Sequence, residues 1–233
     1  MRKVILISGG SDGLGKALAT RLSPHHMVVI FSQDKEKVSL TAKEILCDFE
    51  VGDVSNSVDV KRIVASVIKK YKRIDCLVNN AGIWIQGPIE DNDSELIKKT
   101  MEVNATGTML LTSVVVPYLK SQGSGRIINV ISQAGLYPKA ERSVYTASKW
   151  AITGFTKSLQ LELGDSNIAV SGFYPGPMKT GLFKKAGIDK DMKNYMDLDE
   201  PVSVLENLIN MKDGINVPEI GLRATTDQLK PKK

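Results

Sequence analysis

Histidine and cysteine are scarce in this chain of 233 residues, which contains two of each. His25 and His26 follow Pro24 in a predicted surface loop, so catalytic triads and metal sites built on histidine are almost excluded, and we predict no metal. Cys47 and Cys76 lie in separate apolar runs, and we expect both to be buried, reduced thiols. Two thiols form neither a disulfide framework nor a metal cluster. The chemistry must therefore come from other side chains.

Long hydrophobic runs and dense charge of one sign are also missing. The apolar run at 4–7 is too short for a signal-peptide core, and no segment approaches membrane-spanning length. We therefore expect a cytoplasmic protein without a membrane partner. The net charge of +5 is mild, and no basic cluster is long enough for a nucleic-acid groove. The basic tail at about 228–233 is expected to be a frayed end.

Apolar runs typical of strands alternate with segments of helical periodicity along the whole chain. Strands are predicted at 4–8, 27–31, 46–51, 75–79, 126–130, 168–174 and 220–224. Helices are predicted at 13–22, 35–45, 60–71, 93–120, 143–163 and 202–209, and 178–199 has no firm pattern. Runs without polar alternation indicate strands that are buried on both faces. The order predicts a single α/β domain over 1–233, a Rossmann-like, doubly wound parallel sheet with helices on both faces.

A glycine-rich turn follows the first predicted strand. Gly9, Gly13 and Gly15 are spaced G-x-x-x-G-x-G, which differs from the G-x-G-x-x-G dinucleotide fingerprint. Glycine permits a tight turn and close approach of a ligand, and the start of the next helix offers free N–H groups to a phosphate. Many loops need glycine only for their shape, so the turn alone is weak evidence of a phosphate site.

Tyr145 and Lys149 are four residues apart in the predicted helix at 143–163. Side chains at this spacing share a helix face. A nearby ammonium lowers the pKa of a phenol, which can then exchange a proton with a carbonyl or alcohol oxygen. Most such pairs are solvated surface residues, so the pair alone also has a trivial interpretation.

Two residues are unusual inside the long helix predicted at 93–120. Asn104 has a low helix propensity, and from the residues alone we interpret it as a surface side chain. Pro117 should kink or end the helix and leave the carbonyl group of Ser113 unpaired.

These motifs in this order resemble the short-chain dehydrogenase/reductase family, in its single-domain branch of about 250 residues. The resemblance covers about 4–180. It depends on the glycine turn and on Asp53-Val54, Asn79-Asn80-Ala81-Gly82, Asn104, Ser132, Tyr145-x-x-x-Lys149 and Pro175-Gly176 with Thr180. Each motif is weak alone, but the ordered set at the predicted strand ends is highly specific.

The resemblance implies that NADP or NAD is the cofactor. Its binding residues would be Gly9, Ser11, Gly13, Leu14, Gly15, Ser32, Gln33, Asp53, Val54, Asn80, Ala81, Gly82, Tyr145, Lys149, Pro175, Gly176 and Thr180. The glycine turn would face the pyrophosphate and the adenosine ribose. Asp53 would bind the adenine amino group, and Pro175, Gly176 and Thr180 would border the nicotinamide.

The catalytic residues implied by the resemblance are Asn104, Ser132, Tyr145 and Lys149. Ser132 would bind the substrate oxygen, and Tyr145 would be the general acid in reduction and the general base in oxidation. Lys149 would bind the nicotinamide ribose and lower the Tyr145 pKa toward neutrality. Asn104 would hold a water of a proton relay, which replaces its interpretation as a surface residue. The substrate would be a small carbonyl compound or secondary alcohol.

Two other functions compete with this oxidoreductase. A non-catalytic dinucleotide-binding regulator of the same fold typically lacks the Tyr or the Lys, and both are present. An epimerase or dehydratase of the extended branch needs a large substrate domain, for which too little chain follows Thr180. Two departures from the family leave the substrate open. The segment after Thr180 is short, and Gly221-Leu222-Arg223 replaces the usual glycine pair.

Apolar residues near the predicted chemistry are candidates for a substrate pocket, with ordinary loop packing as the alternative. They are Ile83, Trp84, Ile85, Leu136, Tyr137, Leu182 and Phe183. The resemblance also implies a homodimer or homotetramer that pairs the helices at 93–120 and 143–163. Leu110, Val114 and Val116 belong to an apolar surface that covers more than one face of the first helix.

A slight preference for NADP is predicted from the end of the second strand. Phe31-Ser32-Gln33 contains no acid that would repel a 2′-phosphate, and Lys35 and Lys37 are near in sequence. Asp12 opposes this preference, and Gln33 lies where NADP-preferring relatives often have arginine. Asp34 is better placed to cap the second helix. The preference is therefore about 1 kcal/mol, or several-fold in affinity.

Overall fold

A computed structural model describes residues 2–225. Its strands are β1 (Val4–Ser8), β2 (Met27–Ser32), β3 (Asp48–Val51), β4 (Cys76–Asn79), β5 (Gly125–Val130), β6 (Ile168–Pro175) and β7 (Glu219–Leu222). Its helices are α1 (Gly13–Leu22), α2 (Lys35–Ile45), α3 (Ser57–Tyr71), α4 (Ser94–Met101), α5 (Gly107–Gln122), α6 (Ser143–Glu162), α7 (Leu182–Lys185) and α8 (Asp199–Asn210). The strands form one parallel sheet in the order β3-β2-β1-β4-β5-β6-β7. The predicted fold class is confirmed.

The sheet has a hydrophobic core on each face, and β1 contributes to both. Val4 and Leu6 pack among residues of α3, α5 and α6, whereas Ile5 and Ile7 pack among residues of α1, α2 and α8. This alternation follows from the two-residue repeat of a strand. Each fully buried side chain of this size contributes about 1.5–3 kcal/mol. The turn that follows β1 is therefore attached to the most buried part of the sheet.

The chain reverses its direction of winding at β1. This strand pairs with β2 on one side and with β4 on the other. The loops after β1 and β4 consequently diverge at the carboxyl edge of the sheet, where a crevice forms. Gly9, Asn80 and Ser132 follow the ends of β1, β4 and β5 in this region.

The long helix predicted at 93–120 is interrupted in the structure. A π-helical turn over Glu102–Thr106 separates α4 from α5, and Asn104 within it is fully buried. The surface interpretation of Asn104 is therefore wrong. π-turns insert an extra residue into a helix and occur frequently at functional sites.

Three smaller predictions need correction. Helix α5 continues past Pro117 to Gln122, because Pro117 is exposed and solvent can bind the carbonyl group that it leaves free. Strand β3 begins at Asp48 rather than at position 46, because Leu46 has a left-handed backbone that ends α2. Both cysteines are free, but Cys47 is only half-buried.

The tail at 228–233, for which fraying was expected, lies outside the described residues. Across residues 2–225, no helix is both long and apolar enough to cross a membrane.

Candidate active site

A cleft of about 740 Å³ lies at the carboxyl edge of the sheet. Most of the predicted site residues line it: Gly9, Ser11, Gly13, Leu14, Ser32, Gln33, Asp53, Val54, Asn80, Ala81, Gly82, Ser132, Tyr145, Lys149, Pro175, Gly176 and Thr180. The two exceptions are Gly15 and Asn104, which lie behind the cleft wall. Among the candidates for an apolar pocket, Ile83, Trp84, Tyr137, Leu182 and Phe183 line the cleft. Ile85 lies behind them in the same hydrophobic cluster as Trp84 and Phe183, and Leu136 packs in a separate cluster.

The glycine turn has the shape that a phosphate site requires. Gly9 and Gly13 have φ angles of +65° and +49°, which side chains disfavour. A Cβ atom on Gly15 would lie 2.4 Å from the Gly9 carbonyl oxygen, so only glycine fits there. The Asn80 amide donates to the carbonyl oxygens of Ser8 (3.0 Å) and Gly9 (3.1 Å) and fastens the turn to the end of β4.

The start of α1 fits the pyrophosphate of a dinucleotide, because the amides of a first helical turn can bind an anion. Asp12 caps this helix by accepting a hydrogen bond from the Gly13 amide at 2.7 Å. Its carboxylate also contacts the ammonium groups of Lys37 (2.7 Å) and Lys185 (2.8 Å). Burial alone would raise the pKa of Asp12, but these hydrogen bonds hold it well below its usual range. Two cations thus outweigh the one carboxylate at the start of α1.

In the described part of the chain, no free carboxylate lies at the end of β2, where the adenosine ribose was predicted to bind. Asp34 accepts a hydrogen bond from the Lys37 amide at 2.9 Å and caps α2, as predicted. Asp53 lies after β3, and one of its carboxylate oxygens accepts hydrogen bonds from the Ser55 amide (2.8 Å) and hydroxyl (2.7 Å). The other oxygen of Asp53 is available for an amino group.

Tyr145 lies in the first turn of α6 and is only 5 % exposed. Burial raises the pKa of its phenol to about 12, although a hydrogen bond with Ser132 and the charge of Arg142 lower it. The Trp84 ring packs beside the phenol ring, with 4.3 Å between the two centroids. Tyr145 therefore keeps its proton at neutral pH, as a general acid must before reaction.

Lys149 lies one turn further along α6, with its Nζ atom 5.7 Å from the centroid of the Tyr145 ring. The ammonium donates to the Val130 carbonyl oxygen at 3.3 Å, and burial lowers its pKa to about 8. The expected fall of the Tyr145 pKa toward neutrality is not found. Burial favours the neutral form of both groups, and among the cations of the described residues Arg142 rather than Lys149 lowers the pKa of the phenol.

Asn104 connects the loop after β4 to α6. Its side chain exchanges two hydrogen bonds with the backbone of Ile83, at 2.8 and 3.0 Å, and donates a third to the Ser148 hydroxyl at 3.0 Å. Ser148 in turn donates to the carbonyl oxygen of Tyr145 at 2.7 Å. A Cβ atom on Gly82 would lie 3.3 Å from Asn104 Oδ1 and 3.7 Å from Lys149 Nζ. Glycine at position 82 therefore leaves space between these two groups.

Ser132 is held in a strained conformation. Its φ angle of +145° with ψ of 158° is a region that only glycine adopts easily. Its hydroxyl accepts a hydrogen bond from the Ala134 amide at 3.1 Å, and its carbonyl accepts one from Gly135 at 2.9 Å. The surrounding turn thus fixes a hydroxyl group beside Tyr145 at a cost in backbone energy.

Glycine at position 132 should therefore stabilise the protein relative to alanine. Ser132→Gly and Ser132→Ala lose the same hydroxyl, but only alanine keeps the strain. The strain destabilises the folded alanine variant by about 1–3 kcal/mol. The glycine variant avoids this strain but loses about 0.5–1 kcal/mol because its backbone is more flexible in the unfolded chain. Urea denaturation of both variants measures the difference in unfolding free energy. A glycine variant that is no more stable than the alanine variant would show that the backbone at position 132 is unstrained.

Three residues at this site were not identified from the sequence. Ser148 was visible inside the Tyr145–Lys149 motif, and its spacing from Tyr145 was a usable signal. Lys185 and Arg142 had no comparable signal, because their approach to Asp12 and Trp84 depends on how distant loops fold.

The chain resembles known proteins in both sequence and structure. The family model for short chain dehydrogenase matches residues 3–191. The trans-4-hydroxycyclohexanecarboxylate dehydrogenase of Sinomonas cyclohexanicum is 35 % identical over 77 % of this chain and 74 % of its own length. The sepiapterin reductase of Chlorobaculum tepidum is 30 % identical over 98 % of this chain and 99 % of its own.

The similarity extends to solved structures. The alcohol dehydrogenase of the archaeon Thermococcus sibiricus, complexed with 5-hydroxy-NADP, aligns with a TM-score of 0.91 at 22 % identity, covering 99 % of this chain and 100 % of that one. At this identity the likeness shows the fold, and the sequence matches show the family. The chain belongs to the short-chain dehydrogenase family and is an NAD(P)-dependent oxidoreductase.

Proposed function

We propose that this protein transfers a hydride between a nicotinamide cofactor and a carbonyl or secondary-alcohol substrate, with Tyr145 as the general acid or base. The observation that carries the proposal is that the strained Ser132, the buried phenol of Tyr145 and Lys149 line one cleft, where Ser132 lies close enough to Tyr145 to lower its pKa. A non-catalytic regulator of the same fold has no need for a strained serine beside a buried phenol.

The protein's own groups stabilise the charge that develops during the reaction. Reduction of a carbonyl builds negative charge on its oxygen, and the hydroxyls of Ser132 and Tyr145 are two donors for that charge. Tyr145 then releases its proton to this oxygen. When bound, the nicotinamide cofactor supplies the hydride and, in its oxidised form, a positive charge.

Lys149 and Asn104 support this proton transfer. Burial depresses the pKa of the Lys149 ammonium to about 8, so the group can both bind ribose hydroxyls and exchange a proton near neutral pH. Asn104 Oδ1 and Lys149 Nζ both border the space beside Gly82. We assign Asn104 to a relay that returns a proton to Tyr145 by way of Lys149.

The proposal is tested by measuring consumption of NADPH and NADH over a panel of ketones, aldehydes and 3-oxoacyl thioesters. At least one class of carbonyl compound should oxidise the cofactor at a rate that depends on the protein. A protein that binds the cofactor tightly but oxidises it with no carbonyl compound would favour the regulator instead.

A slight preference for NADP over NAD belongs to the same proposal. Lys37 lines the cleft near Ser32 and Gln33, at the end of β2. Asp12, which was expected to oppose a 2′-phosphate, is neutralised by Lys37 and Lys185. Because Lys37 is paired with Asp12, its ammonium group is less available to a 2′-phosphate, and the preference for NADP over NAD remains small.

Fluorescence titration should show NADPH binding several-fold more tightly than NADH, on the order of 1 kcal/mol. Lys37→Gln should weaken NADPH binding several-fold and leave NADH binding nearly unchanged. Lys35→Gln is the matched control, because Lys35 is exposed outside the cleft. Tighter binding of NADH to the unmodified protein would refute the preference.

We further propose a homodimer or homotetramer that forms through the outer surfaces of α5 and α6. Trp150 and Leu161 are 51 % and 84 % exposed. Their separation of eleven residues is about three helical turns, so both lie on the same side of α6. Tyr118 is exposed on α5, next to the half-buried Val114.

Light scattering at micromolar concentration should give a mass of two or four chains. Leu161→Glu should shift this mass toward one chain, because a charge would be buried in the contact. Leu40→Glu is the control, since Leu40 is 66 % exposed on α2, at the opposite face of the sheet. A monomeric unmodified protein would contradict the assembly.

A further inference from the structure

Arg142 has no assigned role, although its guanidinium lies within the cleft beside the proposed reaction centre. The side chain is half-buried and lies 5.1 Å from the centroid of the Trp84 ring. Within residues 2–225, no carboxylate forms an ion pair with it. An arginine stacked on an aromatic ring keeps its forked donors free for an anion.

The backbone holds Arg142 in place from both sides. Its carbonyl oxygen accepts a hydrogen bond from the Thr146 amide at 2.8 Å, in the first turn of α6. The preceding Glu141 has a left-handed φ of +60°, and its carbonyl oxygen accepts from the Gly87 amide at 2.9 Å. These contacts join the segment that carries Arg142 to the loop that carries Trp84. A binding group on fixed supports loses little entropy when it binds a ligand.

Trp84 provides the aromatic surface against which the guanidinium lies. The residue is only 7 % exposed, and its indole Nε1 has no hydrogen-bond partner among the described residues. Buried indole donors usually have a partner. The same ring contacts Tyr145 on one side and Phe183 on the other, with centroid distances of 4.3 and 4.8 Å. The Arg142 cation therefore lies one ring away from the proposed proton donor.

The charge of the cleft agrees with an anionic substrate. Among the described residues, the cationic side chains that line it are Lys37, Lys99, Lys139, Arg142, Lys149, Lys185 and Arg223, and the carboxylates are Asp12, Asp34 and Asp53. Asp12 pairs with two of these cations, Lys37 and Lys185. No acidic side chain reaches the cleft from the loop that carries Lys139 and Arg142.

We propose that Arg142 binds a carboxylate of the substrate, so that the substrates are short oxo acids and the corresponding hydroxy acids. This inference rests on the proposed function. The carboxylate lies in the fork of the guanidinium, and the carbonyl group to be reduced lies at Tyr145 and Ser132. The Trp84 ring separates the two polar groups and contacts the carbon skeleton between them. Arg142 thereby determines both the class and the orientation of the substrate.

The role of Arg142 is measured by the ratio of kcat/KM for an oxo acid to kcat/KM for its methyl ester. Five-carbon 2-, 3- and 4-oxo acids are compared with their methyl esters, which lack the negative charge and carry one added methyl group. In the unmodified enzyme, kcat/KM should be higher for at least one acid than for its ester. Arg142→Gln should lower this acid-to-ester ratio at least about tenfold, mainly through KM. Arg142→Lys should restore part of it, and Lys139→Gln, the same charge change in the same loop, should alter it much less.

A binding experiment decides the inference independently of turnover. Saturation-transfer NMR is performed with pentanoate and pentanamide on the unmodified protein and on Arg142→Gln. Pentanoate should bind preferentially, and the variant should lose that preference. Arg142-dependent binding of pentanoate without reduction of any carbonyl would overturn the proposed function and leave the carboxylate site standing. An acid-to-ester ratio of one or below, or a ratio and a pentanoate preference unchanged in Arg142→Gln, would overturn the inference.

Discussion

Replacing Tyr145 by phenylalanine should lower kcat by at least ~10²-fold, the scale of general acid–base catalysis. The substitution keeps the ring that contacts Trp84 and removes only the hydroxyl group. Cofactor affinity should change little, since the ring still fills its place in the wall of the cleft.

Steady-state kinetics and a cofactor titration on the same preparation measure both quantities. Tyr137→Phe is the matched control, because Tyr137 lines the same cleft but is exposed to solvent. Its kcat should remain close to that of the unmodified enzyme. Near-normal turnover in Tyr145→Phe would remove Tyr145 from the mechanism.

Replacing Lys149 by methionine should reduce both turnover and cofactor affinity. Lys149 is assigned two functions, one toward the nicotinamide ribose and one in proton transfer, and methionine keeps the length of the side chain without its charge. We expect each parameter to fall at least about tenfold, because hydrogen bonds to charged groups contribute about 1.5–3 kcal/mol. If only turnover or only cofactor affinity falls in this variant, a residue other than Lys149 must perform the other function.

The same substitution should increase the free energy of unfolding. Burial lowers the pKa of Lys149 from 10.5 to about 8, so the folded protein bears a cost for the charged group at neutral pH. Removing the charge should stabilise the protein by about 1–3 kcal/mol. Between about pH 8 and 10.5 the unfolded chain binds the proton more strongly, so the stability of the unmodified protein should rise with pH and approach that of the variant. Urea denaturation at pH 7 and pH 9.5 measures both effects, and a less stable variant at pH 7 would contradict them.

The fold was predictable because the sequence repeats its pattern in every strand and helix. The run at 4–7 is continuously apolar, and the strand that contains it is buried on both faces of the sheet, as the pattern indicated. The π-turn at Asn104 was not predictable from periodicity. It inserts one residue into an otherwise regular helical pattern and depends on hydrogen bonds to Ile83 and Ser148, which are distant in sequence.

The part of the site predicted to bind the cofactor was more predictable from the sequence than the part proposed to bind the substrate. Glycines at Gly9 and Gly15 are required by local backbone geometry, and local geometry can be read from a sequence. The contact of Arg142 with Trp84 depends on how two loops approach each other, and neither loop carries a spacing that indicates it. The burial that raises the pKa of Tyr145 to about 12 was not predictable, because helical spacing gives the distance to Lys149 but not the extent of burial.

Transfer of deuterium tests the central claim most directly. The enzyme is incubated with a ketone that it reduces and with NADPH that carries deuterium at C4 of the nicotinamide, and the alcohol is analysed by mass spectrometry and NMR. The account predicts one deuterium on the former carbonyl carbon, formed at a rate that falls at least ~10²-fold in Tyr145→Phe. The experiment is run with each of the two NADPH isotopomers, which carry deuterium on opposite faces of C4. Alcohol that has no deuterium on the former carbonyl carbon with either isotopomer would contradict the account, and so would labelled alcohol that Tyr145→Phe forms as fast as the unmodified enzyme.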